Sequence, residues 1–268
     1  MRDELKLAMD AARQAGAITL KYYGSRIEAQ DKKQDSGHHD GDFNPLTQAD
    51  LETDTYLKTA LLDPYPHYGW LSEETADTPQ RLNQSTLWIV DPIDGTREFI
   101  QGIPEYVVSI ALVEDGEPTV GVIYNPATDE LFASLKGGGT HLNGKRVFCT
   151  ETSSLDQAVL TVSHSETKRG EIAPFESSLK EIRPLGSVAY KLAVVAAGLA
   201  DLNFSVQSKN EWDVVAGDLL MREAGGLMLD LSGQPRRYNQ ADPLIKGGLA
   251  AGNPQLAQAA VKLITARR

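Results

Sequence analysis

The sequence predicts an α+β fold built in two halves, and three observations predict it. Two helical stretches open the chain. Four apolar segments follow, and Asp115-Gly116, Asn125-Pro126 and Asn143-Gly144 supply the turn pairs of antiparallel strands. Around residues 151–156 the character changes, and short strands then alternate with helices to the end. The halves are taken as residues 1–152 and 153–268. No repeat or linker separates them, so they are expected to pack as one unit around the large core that 268 residues allow.

Leu5, Met9, Ala12, Ala15, Ile18 and Tyr22 recur at helical spacing, which predicts a helix over 3–23 stopped by Gly24. Residues 30–45 carry almost no apolar side chain and read as a solvated loop. His38, His39, Asp40 and Asp42 lie in it without the scaffold that a transition-metal site needs. A second helix is predicted over 47–62, with Asp50 in its first turn and Asp63-Pro64 closing it. Residues 67–72 form a short apolar segment ending in Glu73-Glu74. Residues 87–90 read as a buried strand, with further strands over 106–113, 119–124, 130–135 and 141–148. Gly137-Gly138-Gly139 is a loop before the last of these, because neither a helix nor a Lys-Ser/Thr pair follows it. In the second half, strands over 159–163, 181–185, 200–206, 226–231 and 249–252 alternate with helices over 171–179, 187–198, 214–224 and 254–266. Ser187 caps one of these helices and Asp213 is placed to cap another.

Trp88-Ile89-Val90-Asp91-Pro92-Ile93-Asp94-Gly95-Thr96-Arg97-Glu98-Phe99 organises the chain. Its apolar run ends in a turn that sets two carboxylates three residues apart, and Gly95 permits a tight bend into a helical turn from Thr96. The first amides of a helix attract anions, whereas the two acids repel each other and repel a phosphate. At an effective dielectric of about 20, two like charges some 4 Å apart cost roughly 4 kcal/mol. A divalent cation removes that conflict. The stretch therefore reads as a metal-assisted phosphate site, and Glu73, at the end of another strand, becomes a candidate partner.

Composition narrows the classes. A net charge of −11 argues against a nucleic-acid surface and against an anionic membrane. One cysteine, Cys149, excludes an internal disulfide; it sits in a predicted strand, where packing explains it better than nucleophilic work, and it suits a reducing compartment. With a charged N-terminus and no long apolar block, a soluble cytoplasmic protein is expected.

Ser72-Glu73-Glu74, the stretch from Trp88 to Thr96, and Trp212-Asp213-Val214-Val215-Ala216-Gly217, with Glu223-Ala224-Gly225-Gly226 beyond, closely resemble the inositol monophosphatase superfamily. The match in order and spacing covers nearly the whole chain. The resemblance implies an αβαβα layered sandwich with the site between the halves, and a Mg²⁺-dependent, lithium-sensitive phosphomonoesterase. It implies that Glu73, Asp91 and the carbonyl of Ile93 hold one metal, and that Asp91, Asp94 and Asp213 hold a second. A third, weaker metal would be helped by the polar loop, where Lys33 is a loosely aligned residue. Asp50 would pair with Thr96 to orient or deprotonate a water, with Glu73 beside it, and the amides of Gly95 and Thr96 would hold the phosphate. A homodimer is common in the superfamily. Hard oxygen donors suit Mg²⁺ on chemical grounds as well, and no Cys, Ser or His nucleophile is needed.

Arg97-Glu98-Phe99 and Gly186-Ser187-Val188-Ala189-Tyr190-Lys191 resemble the 3'(2'),5'-bisphosphate nucleotidase branch more than the inositol branch. Arg97, Gly186, Ser187 and Lys191 are therefore expected substrate contacts, and 3'-phosphoadenosine 5'-phosphate the expected substrate. The inositol branch uses an acid where this chain has Ser205. Inositol monophosphate, histidinol phosphate and fructose bisphosphate remain alternatives. A phosphoester-binding regulatory protein on the same scaffold would lack a ligand or a water activator, yet Asp50, Glu73, Asp91, Asp94, Thr96 and Asp213 are all present.

Overall fold

The computed structural model describes residues 2–25, 29–31 and 45–267. Five layers alternate helix and sheet, and the parity of each strand decides which layer a side chain joins. The first sheet runs in the spatial order Gly69–Ser72, Thr86–Asp94, Val107–Glu114, Glu117–Asn125, Glu130–Leu135, Gly139–Leu142, Lys145–Val147. Its first pair is parallel and the rest are antiparallel. Trp88, Val90, Val108, Ile110 and Val122 face the outer helices α1 (Asp3–Leu20) and α2 (Gln48–Leu62). Leu87, Ile89, Val107, Ala111 and Ile123 face inward instead.

The inner layer comprises α5 (Val188–Ala196) and α6 (Glu211–Glu223); short α3 (Thr96–Ile100) and α4 (His164–Lys168) precede them in the chain. The second sheet runs Glu181–Pro184, Val159–Val162, Leu202–Ser205, Leu249–Gly252, Leu227–Asp230, parallel across the first three strands and antiparallel beyond. Leu160, Val162, Leu202, Phe204 and Ala250 turn outward against α7 (Pro254–Thr265), which completes the αβαβα sandwich. The largest apolar cluster joins residues of both halves, from Leu71 and Phe132 to Leu249 and Ala251, so the halves share one core.

Several boundaries differ from expectation. The first helix ends at Leu20, because Tyr22 and Tyr23 close turns on Thr19 before Gly24 is reached. The strand of residues 87–90 continues to Asp94 through a register shift between Asp91 and Asp94. Residues 141–148 form two short strands folded about Asn143-Gly144, and 171–179 holds only a 3-10 turn, Ala173–Ser178. The helix holding Asp213 begins at Glu211, so Asn210 holds the N-cap position and Asp213, three residues on, takes part in a capping box by accepting from the Asn210 amide. Lys33, His38, His39, Asp40 and Asp42 lie outside the described residues. The Cys149 thiol is pushed up to about 11 by burial, which leaves it inert as a nucleophile.

α6 packs close against the first sheet because Gly121 has no side chain: a Cβ there would stand 2.9 Å from the Ala216 carbonyl oxygen. Gly121→Ala is expected to destabilise the protein by about 1–3 kcal/mol through this overpacking. A thermal melt checks it, and an unchanged midpoint would mean that α6 can shift off the sheet freely.

Candidate active site

Gly69–Ser72 and Thr86–Asp94 run parallel with Ser72 opposite Val90, so both strands release their next residues at one edge. Glu73 and Asp91 therefore emerge side by side, and the Glu73 amide donates to the Val90 carbonyl at 3.3 Å. Beyond them the chain bends tightly. The Ile93 amide donates to Asp91 Oδ1 at 3.0 Å, and Gly95 takes a left-handed φ of 97° where a Cβ would meet the Glu105 carbonyl at 2.8 Å. Only glycine fits that bend without strain.

The second half reaches in through two helix starts. Asp94 Oδ2 accepts from Ser187 Oγ at 2.7 Å and from the Ala189 amide at 2.5 Å, which ties the motif to the beginning of α5. Ser187 holds a φ of 56°, uncommon for a residue with a side chain, and its hydroxyl also accepts from the Tyr190 amide. Asp213, in the first turn of α6, accepts from the Asn210 amide at 2.7 Å. Each of Asp91, Asp94 and Asp213 is thus anchored by a backbone N–H, and a carboxylate's two oxygens carry about four acceptor sites.

Glu73, Asp91, Ile93, Asp94, Gly95, Thr96, Arg97, Gly186, Ser187, Lys191 and Asp213 all line a single cleft of about 510 Å³. Crowding leaves an electrostatic mark. Burial, with the charges of Asp94 and Glu73, pushes Asp213 up to about 8, and burial raises Asp94 as well. Carboxylates held this close favour a shared cation or a proton. The oxygen-only donors fit a hard divalent cation. Among the described residues no three His, Cys, Asp or Glu side chains are gathered closely enough to hold an ion as they stand. The acids therefore line the cleft as separate ligand groups, and side-chain movement would be needed to draw three of them onto one cation.

Asp50 is placed differently. It is fully buried behind the cleft, with Oδ2 accepting from the Thr47 amide at 2.7 Å and hydroxyl at 2.6 Å. Its Oδ1 is 3.5 Å from Thr96 Oγ1, the outer limit of a hydrogen bond, while the same hydroxyl donates to the Ile93 carbonyl at 3.0 Å. Lys191 is buried and donates to the carbonyls of Leu185 and Ser187, at 3.2 and 2.5 Å; burial lowers its pKa.

Other cleft residues escaped the sequence reading: Glu98, Ser163, His164, Glu166, Lys168, Arg169 and Lys209. Those from 163 to 169 follow a parallel strand's carboxyl end, a placement that could have flagged them. Asp54, one turn after Asp50 on α2, was also missed. Its Oδ1 accepts from Ser72 Oγ at 2.5 Å and its Oδ2 from Thr75 Oγ1 at 2.6 Å, so it brackets Glu73.

Comparison with known proteins agrees with this geometry. The chain matches the sequence model of the Inositol monophosphatase family over residues 1–266. It is 36% identical to an inositol-1-monophosphatase of Mesorhizobium japonicum, over 97% of this chain and 95% of that one. It is 32% identical to the Nus factor SuhB of Escherichia coli, over 97% and 94%. Among solved structures, the Thermotoga maritima IMPase superposes with a TM-score of 0.85 at 29% identity, covering 99% of this chain and 98% of that one. Among the described residues no helix is long and apolar enough to cross a membrane.

Asp54→Ala removes the clamp on both sides of Glu73. Direct titration with Mn²⁺ is expected to show affinity weakened by about tenfold, as outer partners of metal ligands usually do when lost. Unaltered Mn²⁺ binding would mean that Glu73 needs no such support.

Proposed function

The chain belongs to the inositol monophosphatase family and is a metal-dependent phosphatase; from that premise we propose that it hydrolyses 3'-phosphoadenosine 5'-phosphate to AMP and phosphate. The observation that carries this reading is the charge within the cleft. A protein of net charge −11 lines one cleft with Arg97, Lys168, Arg169, Lys191 and Lys209 as well as with its acids. One phosphate, brought with its metal, suits the acids; a second anionic group on the substrate is attracted by the bases.

In this reading Glu73, Asp91, Asp94, Asp213 and the Ile93 carbonyl hold two Mg²⁺, and a third ion binds more weakly. When bound, the metal lowers the pKa of a water and neutralises charge on the phosphate and on the leaving oxygen. The protein's own groups do the rest. Thr96 Oγ1, between Asp50 and the Ile93 carbonyl, orients the attacking water, and Asp50 receives its proton. Glu73 stands beside Asp91 at the same edge. The amides of Gly95 and Thr96 hold the phosphate, while the water oxygen bonds to phosphorus and the ester P–O bond breaks. Arg97, with Gly186, Ser187 and Lys191 at the start of α5, lines the cleft toward the rest of the substrate.

A second reading is hydrolysis of inositol 1-phosphate. It is favoured by the 36% identity to the Mesorhizobium japonicum relative, an inositol-1-monophosphatase. Phosphate release with Mg²⁺ separates the two readings when 3'-phosphoadenosine 5'-phosphate, inositol 1-phosphate, histidinol phosphate and fructose bisphosphate are compared with and without Li⁺. The bisphosphorylated nucleotide is expected to give the highest kcat/KM, Li⁺ to inhibit, and chelation to abolish turnover. Faster hydrolysis of inositol 1-phosphate would reverse the order of the readings. Asp94→Asn is expected to cost about a hundredfold in kcat, at the upper end of what losing even an outer partner of a metal ligand costs, with the circular dichroism spectrum retained; unchanged kinetics would remove Asp94 from the metal set.

A further inference from the structure

One cleft acid stands apart from the metal set. Glu166 belongs to α4, an element that carries none of the proposed metal ligands, yet it lines the same cleft and is only 2% exposed. Strands Val159–Val162 and Leu202–Ser205 are parallel with Thr161 opposite Asn203, a register that brings Ser163 and Ser205 abreast at their carboxyl ends. Both hydroxyls donate to Glu166: Ser163 Oγ to Oε2 at 2.5 Å and Ser205 Oγ to Oε1 at 2.6 Å. Among the described residues Glu166 makes no ion pair.

Burial raises the Glu166 pKa, but Lys209, the two serine hydroxyls and Lys191 outweigh it and hold the group below the usual carboxylate range, so the carboxylate stays charged in the cleft wall. Two serines fill two of about four acceptor sites on an ionised carboxylate, and their bonds fix its orientation. What remains is a preset, charged acceptor in the wall of a ligand-sized cleft.

We propose that Glu166 is a specificity-determining residue that accepts a hydrogen bond from a hydroxyl or amino group on the alcohol portion of the substrate. The proposal rests on the cleft being a phosphomonoesterase site. It selects esters whose leaving group carries a donor and disfavours those that present only apolar surface or acceptors to the carboxylate. A hydrogen bond to a charged group is worth roughly 1.5–3 kcal/mol, or on the order of tenfold to a hundredfold in kcat/KM.

The test compares wild type, Glu166→Gln and Glu166→Ala on 3'-phosphoadenosine 5'-phosphate, its 2'-deoxy analogue and its inosine analogue. The first analogue removes the ribose hydroxyl; the second removes the adenine amino group. Wild type is expected to lose on the order of tenfold or more in kcat/KM on one of them, which identifies the donor. Both variants are expected to fall on the parent compound and to stop distinguishing it from that analogue. Their loss on p-nitrophenyl phosphate, which has no donor, should be far smaller. If the alanine variant does not fold, the glutamine variant carries the comparison. Wild-type indifference to both analogues overturns the proposal, as does a variant loss that is equal on every ester. A wild type that does not hydrolyse the bisphosphate refutes the nucleotidase reading alone. Inositol 1-phosphate against cyclohexyl phosphate then supplies the comparison, and absence of a Glu166-dependent preference there overturns the proposal too.

Discussion

Like charges forced together at one strand edge are the constraint on which the structure turns. The Ser72–Val90 register delivers Glu73 next to Asp91, the bend at Gly95 turns Asp94 back, and α6 brings Asp213 from the other half. Two like charges some 4 Å apart cost roughly 4 kcal/mol at an effective dielectric of about 20. Burial first, and then the charges of Asp94 and Glu73, raise Asp213 to about 8. A fold of marginal stability tolerates it only where the backbone gives the acids no alternative. The large core shared by both halves provides that rigidity, since Leu71 and Ile123 of one half pack in the same cluster as Leu220 and Ala251 of the other.

Rigidity is then transmitted by polar contacts at the ends of elements. Asp94 is tied to Ser187 and Ala189, so the motif and the start of α5 form one unit across the halves. On the other side, α2 presents Asp50 toward Thr96 and Asp54 toward the flanks of Glu73, one helical turn apart. One helix thereby fixes both the carboxylate nearest Thr96 and the strand end that carries Glu73. Such placement favours precision, because a site built on helices and strands holds its geometry better than one built on loops.

Much of this was legible in the sequence, for identifiable reasons. Asp91, Asp94 and Gly95 follow a continuous apolar run, and glycine at a sharp bend has a local cause that survives in any context. Which of residues 87–90 face the outer helices and which the inner layer was not legible, because a continuous apolar run shows no alternation; the structure turns Leu87 and Ile89 one way and Trp88 and Val90 the other. Other features depend on long-range register and could not be read. Helix α4 is five residues with no apolar period, so its local signal is weak. The meeting of Glu166 with Ser205 spans 39 residues and follows from strand pairing alone. Asp213 was misplaced as a cap because Asp is common at such positions, whereas Asn210 holds the position here and Asp213 bonds back to it. The sequence reading gave Lys191 to the substrate, and folding also commits it to two backbone carbonyls.

The mixed charge of the cleft lining has a consequence for selectivity. A phosphate beside the acids is repelled unless a cation comes with it, so an anionic ligand cannot bind there productively on charge alone. Bases such as Lys168, Arg169 and Lys209 attract anions without that requirement. Arg169 is partly neutralised by Glu171 at 2.6 Å, which tempers that attraction. Lys209 and Lys191 lie within electrostatic reach of Asp213 and Asp94, so acids and bases share one wall. Glu166, charged and buried in that wall, opposes an anion placed directly upon it and favours a donor. Selection thus arises as much from what each group rejects as from what it binds.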